Sequence, residues 1–271
     1  MKKNFTRYTQ ILLQVLVLVG FGLSSLVANA QKDDCSFPLI LSTSLDWYPY
    51  LYINEEGDST GSDIELLRKV LKRVGCELDV VHFPERRSLH ELKKGNFDIW
   101  LGASYNKARA SKYHYSVQYR NEINRFAYNA DDSALSKVKT FQDIIDLDKI
   151  IAINLAGWYG DELENSKKTH NNYTYSDTVN KRLKMLNLNR VDVVIDDYAV
   201  LCSEVAKGNY KKFAVHPFII YETPIHFLFN RKTVTLDFVK KFNAVLDEMR
   251  ENGTLAAHFS ESLALSCSKS N

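Results

Sequence analysis

The chain alternates short apolar runs with amphipathic segments, and this alternation restricts its fold more than any other feature of the sequence. Residues 37–42, 78–83 and 97–101 are short, mainly apolar runs, so they are predicted strands. The segments between them, residues 62–74 and 89–94, have helical patterns, and each is followed by a glycine. This succession of strands and helices predicts an α/β fold with a mainly parallel sheet and right-handed crossovers.

The first of these helices has boundary signals at both ends. Ser62 and Glu65 have the spacing of a capping box, in which each side chain bonds to the backbone of the other residue. Gly75 follows the last apolar residue and is predicted to end the helix. Its apolar face consists of residues at spacings of three and four: Ile64, Leu67, Leu71 and Val74.

A second unit of the same kind begins near Ala130. Its predicted strands are residues 150–154 and 191–195, and its predicted helices are residues 178–188 and 198–207. After Pro217 the chain becomes extended through residues 227–230, then forms a helix over 236–251 and a short helical tail. Because no linker rich in Pro, Gly or Ser separates the units, we expect two lobes joined by short strands.

The first thirty residues have the pattern of a secretory signal. A basic start precedes a mostly apolar run over residues 11–27, and Ala28-Asn29-Ala30 supplies the small residues of a cleavage site. An uncleaved membrane anchor fits less well, because the apolar run is short for a bilayer and is interrupted by glycine and polar residues. The sequence therefore predicts cleavage after Ala30 and export to the periplasm.

Charge gives no reason to expect nucleic acid or an anionic membrane as a partner. The sequence has 35 Lys and Arg against 33 Asp and Glu, but Lys2, Lys3 and Arg7 belong to the predicted signal. The rest of the chain is close to neutral, and it should be soluble. The histidines form no ligand motif, so no metal site or other cofactor is predicted.

The four cysteines, Cys35, Cys76, Cys202 and Cys267, all follow the predicted signal, and an oxidising compartment would favour their pairing. Three connectivities are possible. Cys35 and Cys76 each precede a predicted strand, and the starts of neighbouring parallel strands lie close together, so these two cysteines can form a bridge. Cys202 would then be left for Cys267.

Several polar and aromatic residues follow predicted strands, where ligands of open parallel sheets collect. Arg109 comes shortly after the third strand, and its planar fork can hold a carboxylate with two hydrogen bonds. Asp196 and Asp197 can cap the next helix, or one of them can accept hydrogen bonds from a ligand ammonium. Trp47 and Tyr50 can belong to a core, or they can line a pocket beside the ligand.

Five segments spread along the chain form a recognisable series. They are Tyr48-Pro49-Tyr50 with Gly61-Ser62-Asp63-Ile64-Glu65, Leu92-Lys93-Lys94-Gly95-Asn96-Phe97-Asp98, Arg109 with Tyr115-Ser116 and Tyr119, Arg190-Val191-Asp192-Val193-Val194-Ile195-Asp196-Asp197, and Asn252-Gly253-Thr254-Leu255. In this order they resemble the type-II periplasmic solute-binding proteins of extracellular family 3, the amino-acid-binding type. The resemblance implies two lobes, each a mainly parallel sheet flanked by helices, joined by a two-strand hinge.

The expected domain plan combines this resemblance with the predicted elements. Residues 1–30 are the signal peptide, residues 31–128 the first part of lobe 1, residues 129–221 lobe 2, and residues 222–271 the return to lobe 1 with the C-terminal helices. Both crossings between the lobes would then lie in the hinge.

The resemblance also implies roles for particular residues. Arg109 matches the arginine that binds the ligand carboxylate, helped by the Ser104 hydroxyl and by nearby backbone that includes Gly102. Asp197 matches the residue that binds the amino group, and its neighbour Asp196 is the alternative. Tyr50 and Trp47 would cover the ligand side chain. Arg87 resembles an arginine of some relatives that can contact a second anionic group, and the alternative is an exposed arginine at a helix start.

The second lobe departs from the family pattern at Gly157-Trp158-Tyr159-Gly160. Amino-acid binders usually have glycine followed by small hydroxyl residues there. Trp158 and Tyr159 would replace hydroxyl donors to the carboxylate and would shrink the pocket or suit an aromatic or apolar ligand.

We therefore predict a monomeric binding protein, not an enzyme, that closes over an amino acid or related carboxylate and delivers it to an ABC-type permease. Without a P-loop, the chain is not itself the ATPase. One alternative is an enzyme of the same architecture, similar to cyclohexadienyl dehydratase. Another is a ligand-sensing partner of a membrane receptor.

Overall fold

The structure is a computed structural model that describes residues 35–43, 47–83, 85–207 and 212–267. Side chains are described for these residues except 43, 85, 86, 89 and 261–267. The predicted signal segment lies outside the described residues, and so does the side chain of Cys267. In the described part of the chain, no helix is both long and apolar enough to cross a membrane.

Strands and helices alternate along most of the described chain. The strands are β1 (Leu39–Thr43), β2 (Tyr52–Ile53), β3 (Ser59–Thr60), β4 (Leu78–His82), β5 (Ile99–Ser104), β6 (Tyr113–Tyr115), β7 (Arg120–Asn129), β8 (Ile151–Asn154), β9 (Tyr173–Ser176), β10 (Val193–Asp197), β11 (Phe213–Val215) and β12 (Tyr221–Asn230). The helices are α1 (Ser62–Arg73), α2 (Glu85–Lys94), α3 (Lys107–Ala110), α4 (Phe141–Asp146), α5 (Gly160–Ser166), α6 (Val179–Asn187), α7 (Tyr198–Ala206), α8 (Leu236–Glu251) and α9 (Thr254–Cys267).

Two groups of parallel strands are connected by two long antiparallel strands. The main sheet runs in the order β4, β1, β5, β12, β7, β10, β8, β9. β1 pairs in parallel with β4 and β5, whereas β8 pairs in parallel with β10 and β9. β12 and β7 lie antiparallel between these groups. The predicted α/β class is confirmed, with parallel pairing among the inner strands of each group and antiparallel pairing at the two connecting strands.

Separate hydrophobic cores divide the described residues into two lobes. Lobe 1 is the body around β4, β1 and β5, and its core includes Leu41, Ile99 and Phe242. Lobe 2 is the body around β10, β8 and β9, and its core includes Ile153 and Val194. The fold is two-lobed as predicted, although the exact lobe boundaries in the sequence stay a prediction.

The hinge consists of β7 and β12, which pair with each other where the chain passes between the lobes. Residues 120–124 of β7 lie opposite residues 221–225 of β12. Beyond this pairing β7 continues along β10 and β11 of lobe 2, whereas β12 continues along β5 and β6 of lobe 1. The hydrogen-bonded sheet is therefore continuous through the hinge, while the cores on its two sides stay separate.

The capping box predicted at the start of α1 is wrong. Gly61 is the N-cap residue, and within the described residues the Ser62 side chain makes no capping hydrogen bond. The first backbone N–H groups are satisfied differently, because Ser62 donates to the Pro49 carbonyl and Asp63 donates to the Tyr50 carbonyl. A Cβ at position 61 would lie 2.5 Å from the Tyr50 backbone, so only glycine allows this close approach.

β10 covers Val193–Asp197, two residues beyond the strand that the sequence predicts. Asp196 and Asp197 are consequently strand residues, and both are buried. Asp197 also caps α7, since its carboxylate accepts hydrogen bonds from the backbone N–H groups of Ala199 and Val200. The cap role weighed for these residues is therefore confirmed for Asp197.

Cys35 and Cys76 form a disulfide, with their Cα atoms 4.9 Å apart. They precede β1 and β4, whose first residues Leu39 and Leu78 lie opposite each other in the sheet. This pairing confirms the prediction from the strand starts. The predicted Cys202–Cys267 bridge involves a side chain outside the described residues and stays a prediction.

The double substitution Cys35→Ser and Cys76→Ser is expected to lower the free energy of unfolding by about 4 kcal/mol. The bridge closes a loop with a sequence separation of 41, and a loop of that length loses roughly this much chain entropy when it is closed in the unfolded state. Urea unfolding of both proteins measures the difference. A loss below about 1 kcal/mol would contradict the expected contribution.

Candidate functional site

A cavity of about 150 Å³ lies where the two lobes meet, which is room for a molecule of about the size of benzene. We call it the cleft. Lobe 1 lines it with Ser42, Trp47, Leu51, Ser88, Leu92, Ile99, Trp100, Leu101, Gly102, Ser104 and Arg109, the hinge with Glu122 and Asn124, and lobe 2 with Asn154, Ala156, Gly157, Trp158, Tyr159, Asp177, Val179, Arg182 and Asp196. The cleft therefore combines apolar walls with polar groups from both lobes and the hinge.

Arg109 reaches from lobe 1 to lobe 2. It lies in α3, whose N-cap Asn106 accepts hydrogen bonds from the backbone N–H groups of Ala108 and Arg109. The guanidinium donates to the Ala156 carbonyl at 2.8 Å and to the Ser104 carbonyl at 3.3 Å. Because Ala156 belongs to lobe 2, this side chain links the lobes at the mouth of the cleft.

All three tryptophans of the chain, Trp47, Trp100 and Trp158, line the cleft. Trp47 lies against the backbone of Gly102, where an added Cβ would be 2.5 Å from the indole ring. Gly102 also has a φ of +73°, a conformation that favours glycine. The sequence therefore needs glycine at position 102 to seat the tryptophan in the wall.

Behind the cleft, Asp63 and Arg120 form a buried ion pair. The two nitrogens Nε and Nη2 of Arg120 donate to the two carboxylate oxygens of Asp63 at 2.9 and 3.0 Å. The Tyr119 hydroxyl donates to the same carboxylate at 2.6 Å, and the Arg120 guanidinium lies 3.6 Å from the centre of the Tyr50 ring. This cluster fixes α1 of lobe 1 to the start of hinge strand β7.

Asp197 extends that cluster into lobe 2. Its carboxylate accepts a hydrogen bond from the Tyr50 hydroxyl at 3.0 Å and lies 4.0 Å from Nη1 of Arg120. Burial raises its pKa to about 6, although the Arg120 charge opposes the increase. Tyr50 of lobe 1 and Asp197 of lobe 2 thus meet beside the arginine.

Asp196 points to the cleft and is paired there with Arg182 of α6. The Arg182 Nη2 group donates to the Asp196 carboxylate, and the other Asp196 oxygen accepts from the Asp197 backbone N–H at 2.8 Å. Both side chains are buried. The charge of Asp196 is therefore already balanced inside lobe 2.

Glu122 is the hinge carboxyl of the cleft. Burial and, second to it, the charge of the nearby Asp197 carboxylate raise the pKa of Glu122 to about 8. Asn124, two residues later on β7, is 1% exposed. Alternate residues of a strand share a face, so these two side chains line the same wall.

Residues 39–261 match the family of bacterial extracellular solute-binding proteins, family 3. The chain belongs to this family. It is 29% identical to "Probable amino-acid-binding protein YxeM" of Bacillus subtilis (strain 168), over 94% of this chain and 92% of that protein. It is 24% identical to "Probable amino-acid ABC transporter-binding protein" of Haemophilus influenzae (strain ATCC 51907 / DSM 11121 / KW20 / Rd), over 83% and 84%.

Two further similarities concern the fold and the enzymatic alternative. ArgBP from T. maritima has the same fold, with a TM-score of 0.72 and 20% identity over 83% of this chain and 95% of that one. Cyclohexadienyl dehydratase of Pseudomonas aeruginosa (PAO1) is 26% identical, but the match covers 44% of this chain and 45% of the enzyme. The family 3 relatives that match along most of the chain carry the names of binding proteins.

The structure brings together six of the nine predicted site residues of this family 3 protein. Those that line the cleft are Trp47, Gly102, Ser104, Arg109, Gly157 and Trp158. Tyr50 and Asp197 belong to the cluster around Arg120 and line a second, mostly apolar hollow behind the hinge. Arg87 is exposed, and its guanidinium lies 4.2 Å from the centre of the Phe83 ring. The expected roles of all nine in binding stay predictions.

The sequence analysis missed most of the charged residues in the family 3 cleft. Glu122 and Asn124 lie on a hinge strand whose residues were not predicted, and Arg182 occupies the inner face of a predicted helix. One signal was present, because a charged residue among the apolar positions of an amphipathic helix, such as Arg182, points to a buried partner. The departure at Trp158 and Tyr159 does place aromatic side chains at the cleft, as expected.

Proposed function

We propose that this chain captures a small zwitterionic amino acid or a closely related carboxylate in the cleft, by closure of the two lobes. The observation that carries the proposal is the position of Arg109, which lies in lobe 1, lines the cleft and donates a hydrogen bond to lobe 2. A ligand carboxylate that replaces the two backbone carbonyls would gain a charge-assisted, two-pronged contact.

Closure follows from contacts that a ligand can make to both lobes at once. A ligand that is bound to Arg109 in the open form makes contacts with lobe 2, including Trp158 and Tyr159, only when the hinge closes. Such differential contact shifts the equilibrium towards the closed form. The hinge strands β7 and β12 are the segments that would bend.

We further propose that the chain is exported, loses its first thirty residues and works in the periplasm. Two observations support this place: the signal pattern of the sequence and the extracellular character of the family. The disulfide Cys35–Cys76 suits an oxidising compartment. The closed form would deliver its ligand to an ABC-type permease, as the name of the Haemophilus relative suggests.

Ligand binding is expected to change the intrinsic fluorescence, because every tryptophan of the chain lines the cleft. The test is a titration of the purified protein, unfolded and refolded to remove carried-over ligand, with each of the standard L-amino acids. A thermal-shift measurement accompanies it, since a ligand that binds the folded state raises the melting temperature. A flat response in both measurements for every amino acid would contradict the proposed function.

The dehydratase alternative has one structural observation in its favour. Such an enzyme needs a general acid beside a bound carboxylate, and Glu122 has its pKa raised to about 8 in the same cleft as Arg109. The short match to the dehydratase argues against it. Incubation with prephenate, followed by NMR, separates the two functions, because the binding protein should leave prephenate unchanged.

A further inference from the structure

We infer that the ammonium group of the ligand binds on the hinge strand, at Glu122 and Asn124, instead of at the aspartates that end β10. This inference rests on the proposed function, since it assumes that a zwitterion occupies the cleft. It assigns the specificity for an amino group to two residues that no motif in the sequence marks.

The two aspartates are already engaged. Asp197 accepts hydrogen bonds from the Tyr50 hydroxyl and from the first backbone N–H groups of α7, and it lies outside the residues that line the cleft. Asp196 does line the cleft, but it is bound to Arg182 and to the Asp197 backbone. Asp197 is therefore not exposed to a ligand in the cleft, and the charge of Asp196 is already balanced by Arg182.

Asn124 is a buried cleft residue whose amide interacts with the Glu122 carboxyl but makes no hydrogen bond of normal geometry to the described residues. Among the residues that the structure describes, neither amide atom of Asn124 has a hydrogen-bond partner of normal geometry, although its side chain lines the cleft. Buried amides are nearly always hydrogen-bonded, and those that are not need an explanation. A ligand N–H group at this wall would satisfy the amide oxygen.

The charges of the cleft point to the same assignment. Arg182 balances Asp196, and Asp177 is paired with Lys181 at 2.7 Å. Arg109 of lobe 1 and Glu122 of the hinge also line the cavity, so a cation and a carboxyl lie at different points along it. An α-amino acid carries the complementary pair, with its carboxylate at Arg109 and its ammonium at Glu122.

Binding at this position would be coupled to proton release. Burial and the charges of Asp197 and Asp196 raise the pKa of Glu122, while the Arg120 charge opposes them. With a pKa of about 8, Glu122 is mainly protonated in the empty cleft at neutral pH. A ligand ammonium favours the ionised form, so affinity should rise as the pH increases from 6 towards 8.

The experiment compares each amino acid with the same molecule lacking its amino group. The probes are L-arginine with δ-guanidinovalerate, L-glutamine with glutaramate, and L-phenylalanine with β-phenylpropionate, which cover cationic, neutral and aromatic side chains. Calorimetric titrations use the wild type, Glu122→Gln, Asn124→Ala and the control Glu222→Gln. Glu222 has an exposed side chain on the partner hinge strand, opposite Ile123, so its substitution makes the same chemical change outside the cleft.

In the wild type, we expect the bound amino acid to be preferred over its deaminated acid by about 30-fold or more, as for a buried charge pair. Glu122→Gln should lose this preference, because it should weaken the binding of the amino acid and leave that of the deaminated acid unchanged. The affinity of this variant for the amino acid should also no longer depend on pH between 6 and 8. Asn124→Ala should reduce the preference. Glu222→Gln should leave the preference and the pH dependence of the affinity unchanged.

Two results would overturn the inference while the proposed function survives. The first is a Glu122→Gln protein that binds both members of a pair as tightly as the wild type does, and the second is a Glu122→Gln protein that binds both members more weakly by the same factor. A wild type that binds no member of any pair would instead count against the proposed function and, with it, the inference. Melting temperatures of all four proteins verify that the variants are folded.

Discussion

Arg109→Ala is expected to weaken the binding of an amino acid by about 100-fold or more while the protein stays folded. The guanidinium is the cation at the mouth of the cleft, and loss of one partner of a buried charge pair costs about 2–5 kcal/mol. The side chain is only partly buried and donates to two backbone carbonyls, those of Ser104 and Ala156. Calorimetric titration of wild type and variant with the amino acid that binds best measures the change.

Two further variants test whether the loss of affinity is specific to the guanidinium group of Arg109. Lys107→Ala removes an exposed cation from the same helix, outside the residues that line the cleft, and should bind like the wild type. Arg109→Lys keeps the charge but loses the planar fork, so it should be intermediate. If Arg109→Ala and Lys107→Ala bound the amino acid with equal affinity, Arg109 would not be a ligand-binding residue.

Asp63→Ala is expected to lower the free energy of unfolding by about 3–5 kcal/mol. The substitution leaves the guanidinium of Arg120 buried without its two-pronged partner, and removal of one member of a buried pair has an effect of this size. The Tyr119 hydroxyl would also lose its acceptor. Urea unfolding followed by circular dichroism measures the change in stability.

Glu248→Ala is the matched control. The Arg73–Glu248 pair is exposed, with side chains that are 41% and 59% accessible, whereas those of Arg120 and Asp63 are 5% and 0% accessible. Exposed pairs contribute about 0–1 kcal/mol. Similar losses for Asp63→Ala and Glu248→Ala would show that the Arg120 cluster does not stabilise the lobe and hinge as described.

The repeating elements of each lobe could be predicted because they follow from local patterns. Helix α8 coincides with the predicted residues 236–251, and α6 begins after the cap Thr178, the first residue of its predicted range. The spacing of apolar residues directly indicates which face of such an element is buried. The bridge between Cys35 and Cys76 followed in the same way, from the positions of two strand starts.

The resemblance implied a two-strand hinge, but the residues that form it could not be located from local patterns, because their polar side chains depend on contacts with distant residues. β7 has Arg120, Glu122 and Asn124 where a strand is usually apolar, and these residues face the cleft or the Asp63 carboxylate. Their polar character reflects partners about 60 to 80 positions away, such as Asp63 and Asp197. Local patterns therefore do not mark this segment as a strand.

The site was predicted where a family motif accompanied it and missed elsewhere. Arg109 and Trp47 were found from the resemblance, and both line the cleft. Asp197 matches the family position, but in this chain Tyr50 and the start of α7 engage its carboxylate. Sequence position alone does not reveal that a neighbouring arginine, here Arg120, has taken up the space beside it.

Calorimetric titration of the refolded protein with the standard L-amino acids tests the central claim most directly, because it reports affinity and stoichiometry together. Arg109 lines the single cleft that the described residues form between the lobes, so we expect one amino acid bound per chain with a Kd of about 1 μM or tighter, and binding to Arg109→Ala that is weaker by about 100-fold or more. Absence of heat for every amino acid, or binding that Arg109→Ala retains in full, would contradict capture in this cleft.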